Sequence, residues 1–155
     1  MTNRLEALED WAAGLLGMLE PTSRHKLARC IGQELRRSQQ RRIITQKNPD
    51  GSKYVPRKLR KFGGKQGRVK RKVKMFQKLR TASFLKVQCD GNTISVGFSG
   101  RIARIAKVHQ LGLMDRAKRS SNVVKYDSRE ILGFTAINTQ SIRDKLLNYF
   151  VPTGQ

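Results

Sequence analysis

Positive charge in this chain is crowded into one stretch, and that crowding restricts how the chain can close on itself. Residues 24–80 hold 21 lysines and arginines against two acids, Glu34 and Asp50, a net of +19. The other 98 residues hold 12 bases and nine acids, a net of +3. Self-repulsion of that size opposes compaction, so part of the charge must be neutralised by a partner. A basic surface that only keeps a protein soluble calls for a much smaller excess. At 155 residues the expectation is a single domain, 1–155, with a modest core.

Apolar periodicity places the elements. Leu5, Leu8, Trp11, Ala12, Leu15, Leu16 and Leu19 recur at three- and four-residue steps, which predicts an amphipathic helix over 3–19 stopped by Pro21. Its polar positions are acidic. A second helix is predicted from Thr22 or Ser23 to about Gln46, with Leu27, Ala28, Ile31 and Leu35 as its stripe and arginines on the remaining faces. Residues 1–47 therefore read as an αα-hairpin. Asn48-Pro-Asp-Gly51 is a turn, and residues 48–67 read as a basic loop or arm. A third helix is predicted over 68–82, on Val69, Val73, Phe76 and Leu79.

Residues 68–155 read as an α+β core. Leu85, Val87 and Cys89 alternate, Asp90-Gly-Asn92 turns, and Ile94, Val96 and Phe98 alternate on the return, giving a hairpin over about 83–98. A helix over 101–110 follows, capped by Ser99 and closed by Gly112, with Ile102, Ile105, Ala106 and His109 facing inward. A strand near 123–127, a short helix over 128–133 and a last helix capped by Asn138 or Thr139 complete the chain, Pro152 stopping it. The fold class is α+β: a small antiparallel sheet packed by helices, with an N-terminal helical hairpin and a basic loop.

Catalytic and metal chemistry find little support in these residues. His25 and His109 are the only histidines; the first reads as a solvated side chain, the second as a structural one. Cys30 and Cys89 form neither a disulfide framework nor a zinc spacing, and read as buried reduced thiols. Gly97-Phe-Ser-Gly100 precedes a helix but lacks the Lys-Ser/Thr of a phosphate loop. No catalytic, cofactor-binding or metal site is nominated, and no enzyme activity is expected. Neither a signal peptide nor a membrane span is expected. The basic segment suits non-specific contact with duplex DNA, or docking on an acidic protein surface; aromatics for base stacking are sparse there.

Four segments together carry a resemblance. They are Asn48-Pro-Asp-Gly51 with Tyr54 and Pro56; Lys74-Met-Phe-Gln-Lys-Leu-Arg-Thr81; Val96-Gly-Phe-Ser-Gly-Arg-Ile-Ala-Arg-Ile-Ala-Lys-Val-His-Gln-Leu-Gly112; and Tyr126 through Arg129-Glu-Ile-Leu-Gly-Phe134. The set resembles the tail completion, or virion morphogenesis, family of contractile-tailed bacteriophages, in its S-protein branch. Tyr54 stands where that family often has tryptophan.

The resemblance implies a non-enzymatic virion protein at the head-proximal end of the tail, made in the host cytoplasm, which completes tails and joins them to filled heads. It also implies partners among neck and tail proteins (the tail terminator or tube end, the head connector) and a homo-oligomeric ring, commonly a hexamer. Arg101, Arg104 and Lys107 are then candidate contacts to a neighbouring subunit. Arg57, Lys58, Arg60, Lys61, Lys65, Arg68, Lys70, Arg71 and Lys72 are candidate contacts of the arm to a partner or to DNA. Most of residues 36–74 is expected to form a flexible arm that orders on assembly. The competing reading is a non-specific DNA-binding protein whose working surface is segment 24–80.

Overall fold

The computed structural model describes residues 4–57, 74–90, 92–116 and 122–151. Its axis is one long helix. Helix α1 spans Arg4–Leu16 and α2 spans Pro21–Thr45; strands β1 (Leu85–Cys89) and β2 (Ile94–Phe98) form a hairpin; α3 spans Gly100–Leu111; β3 (Met114–Arg116) and β4 (Val123–Lys125) form a second hairpin; and α4 spans Ala136–Phe150.

Pro21 does not end the first helix; it begins the second. Its fixed φ and missing N–H suit the first helical position, where the donor has no intrahelical partner. Helix α1 accordingly stops at Leu16, short of the expected 19. Helix α2 buries Leu27, Ala28, Ile31, Gly32, Leu35, Gln39, Arg42 and Ile43, a stripe at helical spacing that continues through polar residues. It ends at Gln46, left-handed at φ 58°, whose side chain donates from Nε2 to Met75 O at 2.9 Å and accepts from Met75 N at 2.7 Å.

The first hairpin is antiparallel in the register Leu85↔Phe98, Val87↔Val96 and Cys89↔Ile94. Asp90 Oδ1 shapes its turn by accepting from Asn92 N (2.9 Å) and Thr93 N (2.7 Å). The hairpin lies across α2 so closely that a Cβ on Gly32 would stand 2.5 Å from a Val87 methyl. Two clusters divide the core. Ala12, Leu27, Ile31, Leu35 and Leu146 join α1, the first half of α2 and α4. Ile43, Leu79, Ala106 and Ile131 gather around the other end of α2. Each such buried leucine or isoleucine contributes about 1.5–3 kcal/mol.

Several expectations are corrected. The strand at 123–125 pairs with Met114–Arg116, in a segment read as irregular, so the molecule holds two separate two-stranded sheets. Residues 75–84 form turns rather than a helix, and Phe76 sits at φ 62°. The part of that expected helix from Arg68 to Val73 lies outside the described residues. Residues 128–133 are not helical; their backbone is held by side chains of other elements. Thr135, not Asn138 or Thr139, caps α4, in a reciprocal box with Asn138. On α3, Ile105 faces out at 45% exposure while Val108 is buried, and Ser99 makes no side-chain cap bond. Cys30 is exposed and Cys89 half-buried; both are free. The expected arm over 36–74 loses its first ten residues to α2, where Gln39, Arg42 and Ile43 are buried.

Candidate interaction surfaces

The end of α2 that meets α3 is closed by buried polar side chains. Residues 126–135 lie outside helix and sheet; Tyr126 N and Arg129 N donate to the Leu113 and His109 carbonyls, and the groups of residues 131–133 are met by side chains. Arg42 donates to Gly133 O (2.9 Å) and Ile131 O (2.7 Å), and to Gln39 Oε1 (2.6 Å). Gln39 returns a bond to Gly133 O (3.0 Å) and accepts from Gly133 N (3.2 Å). Gln110 bonds both backbone groups of Leu132 in the same manner. Gly133 has no room for a side chain: a Cβ there would meet the Pro49 ring at 2.4 Å.

Arg129 does the corresponding work at the root of the basic segment. It is 4% exposed and donates to Val55 O (2.7 Å), Pro56 O (3.0 Å) and Asp127 O (3.2 Å). Its Nη1 also faces His109 Nδ1 at 3.4 Å. The His109 ring sits edge-to-face between Phe76 and Tyr126, each 5.0 Å away, and Phe76 packs on Tyr54. Burial, and then Arg129 and Arg57, hold the His109 pKa below its ordinary value, so the ring is neutral and structural. Residues 48–57 are thus anchored: Lys47 bridges Lys53, and Tyr54 is buried.

The proposed site residues fall in two groups. Arg101, Arg104 and Lys107 are all exposed on the outer side of α3. Arg104, with 72% of its side chain exposed, pairs with Asp115 of β3 and so ties the second hairpin to the helix. Arg57 is exposed beside Arg129 and His109. Lys58, Arg60, Lys61, Lys65, Arg68, Lys70, Arg71 and Lys72 lie outside the described residues. On α2, Arg37, Gln40 and Arg41 line, with Arg80, a shallow basic cleft of about 510 Å³.

The sequence reading placed Arg42 on a polar face of its helix and gave Gln39 and Arg129 no role. A signal existed for the first two. They continue the Leu27-Ile31-Leu35 stripe at steps of four and three, so their burial follows from helical spacing. Nothing local announces the burial of Arg129 against Val55 and Pro56, more than 70 residues away.

Among the described residues no group of three metal-ligating side chains comes together, and no helix is long and apolar enough to cross a membrane. The chain belongs to the phage virion morphogenesis family, whose pattern it matches over residues 3–151. It is similar to tail completion protein S of Escherichia phage P2, with 39% identity over 146 residues that cover 94% of this chain and 96% of the relative. No solved structure matches it.

Proposed function

We propose that this chain is a structural tail completion protein. It acts in the virion at the head-proximal end of a contractile tail, finishes the tail and joins it to a filled head, and does so by docking rather than by catalysis. The observation that carries the reading is the likeness to tail completion protein S over 94% of this chain and 96% of the relative. A homo-oligomeric ring, a hexamer in the commonest case, is the assembly this role calls for. Its neighbours would be the tail terminator or tube end and the head connector, met after assembly in the host cytoplasm. Arg101, Arg104 and Lys107 are the residues we assign to the subunit contact.

Within the subunit we divide the chain into a helical pair over 1–47, a basic segment over 48–67 and an α+β core over 68–155. We assign the working part of the basic segment to the residues after Arg57, a reading supported by the anchoring of Tyr54 and of the Val55 and Pro56 carbonyls. The test is electron microscopy of particles assembled without the protein. Filled heads lying apart from tails support the proposal, and normally joined particles overturn it.

One observation favours a second reading, non-specific binding of duplex DNA: the excess of +19 over residues 24–80, continued in the Arg37–Arg41–Arg80 cleft. Neutralised phosphates release counterions, so such binding weakens steeply with salt. Tight duplex binding by the purified protein at low salt, with a steep salt slope, supports this reading, and the absence of binding at low salt removes it.

A further inference from the structure

The chain carries two outer faces of opposite charge, and α2 holds them apart. Helix α1 packs with Leu27, Ile31 and Leu35, whereas α3 packs with Ile43. These contacts stand about 12–24 Å apart along the helix, from Leu35 or Leu27 to Ile43.

The first face is acidic. Of the eleven acids in the chain, six are held internally. Glu34 pairs with Lys145, Asp115 with Arg104 and Asp127 with Arg129. Asp50 bonds Ser52, Asp90 bonds the turn amides and Asp144 bonds Gln140. Four of the remaining five, Glu6, Glu9, Asp10 and Glu20, stand at the α1 end. All four are exposed and meet no hydrogen-bond or ion-pair partner among the described residues. Three acids elsewhere in the chain pair with a cation, whereas these four form an acidic patch with no ion pair among the described residues. Beside them are Met18, 81% exposed, and Trp11, whose ring faces Arg143 at 5.6 Å.

The second face is basic. Arg101, Arg104 and Lys107 of α3 and Arg116 and Lys125 of the second hairpin are exposed, with Asp115 the one acid among them. Apolar side chains lie between them: Leu111 is 57% exposed, Met114 67% and Val123 48%. A two-stranded sheet of three-residue strands is marginal by itself, and both its outer edges are unpaired among the described residues.

We infer that the α1 face of one copy docks on the α3–β3–β4 face of the next. Charge sign selects this occupant: two copies of the basic face would set cations against cations, and two copies of the acidic face acids against acids. Only the head-to-tail pairing is complementary in charge, and it also brings the exposed Met18 and Trp11 to Leu111 and Met114. Such a contact is heterologous, and identical copies joined by it make a ring if the rotation closes and a filament if it does not. The inference rests on the oligomer proposed above and names its two halves.

Sedimentation of the purified protein at low salt tests it with charge reversals on both faces. Glu6→Lys with Asp10→Lys, or Arg101→Glu with Lys107→Glu, should each raise the concentration at which copies associate by at least about tenfold. All four changes together leave both faces near neutral and should weaken association at least as far as either pair does. Circular dichroism confirms that each variant is folded, since none of the four side chains is buried. If the parent associates and the reversals change nothing, this interface is wrong and an oligomer built otherwise stands. If the parent remains a monomer at every concentration, self-docking itself falls, whatever the micrographs of joined particles show.

Discussion

The two ends of α2 are closed by different chemistry. At the N-terminal end Leu27, Ile31 and Leu35 meet Ala12 and Leu146 in an apolar cluster, with the polar contacts of α2 to α4 (Ser38 with Asn138, Glu34 with Ser141 and Lys145) beside it. At the other end Ile43, Leu79, Ala106 and Ile131 share the interior with buried Gln39, Arg42 and Arg129. The partners explain the difference. Helices α1 and α4 and the first hairpin satisfy their own backbones, so apolar burial suffices there. Residues 131–133 do not, and an irregular segment can be buried only where side chains supply the missing bonds.

The largest expected effect is at the apolar end. Leu146→Ala removes a side chain that is 2% exposed and should cost about 2–5 kcal/mol in urea unfolding. Arg42→Met keeps most of the volume but leaves Ile131 O without its donor and Gly133 O with one donor fewer; it should cost about 1–3 kcal/mol. If Arg42→Met proves neutral, the polar closure of that end is misread.

Two glycines sharpen the same contrast at a smaller scale. Gly32 of α2 should resist alanine, losing about 1–3 kcal/mol, because a Cβ would enter the Val87, Ile94 and Cys89 side chains. Gly14 of α1 has open space around it, and Gly14→Ala should stabilise the protein by about 0.5–1 kcal/mol. Equal effects at the two sites would show that the hairpin does not press on α2.

The smallest expected effect is a pH dependence confined to the polar end. His109 has a folded pKa below its unfolded value of about 6.5, so the unfolded chain takes up the proton first as pH falls. Its contribution is complete above about pH 6.5 and declines as pH drops from there toward the lowered folded value. His109→Gln should remove that component of the acid dependence, while Leu146→Ala should leave it in place.

Much of this was legible in the sequence where structure is local. The first hairpin, α3 with its glycine stop and the course of α2 follow from alternation, helical spacing and a left-handed closing residue. Gly112, at φ 64°, closes α3 as its type requires. The α+β class followed from the same signals. What escaped depends on distant partners. Phe76 fits a helical stripe yet adopts a positive φ, with its ring between Tyr54 and His109. Gly133 looks like a helix stop but is a close approach to Pro49. Arg129 is a surface residue by type and a buried clamp by contact. Of the surfaces, Arg101, Arg104 and Lys107 were visible as a basic helix face. The acidic α1 end was also visible as composition; that its acids lack internal partners could be seen only once the other acids were placed.

The head-to-tail contact between the two ends is the account's central claim, and mixing two defective proteins tests it most directly. One carries Glu6→Lys and Asp10→Lys, the other Arg101→Glu and Lys107→Glu. Alone, the first keeps only its basic face and the second only its acidic face, and each should sediment as a monomer. Mixed in equal amounts, the acidic face of the second meets the basic face of the first, and a heterodimer should appear. A mixture that stays monomeric under conditions where the parent assembles would contradict the pairing.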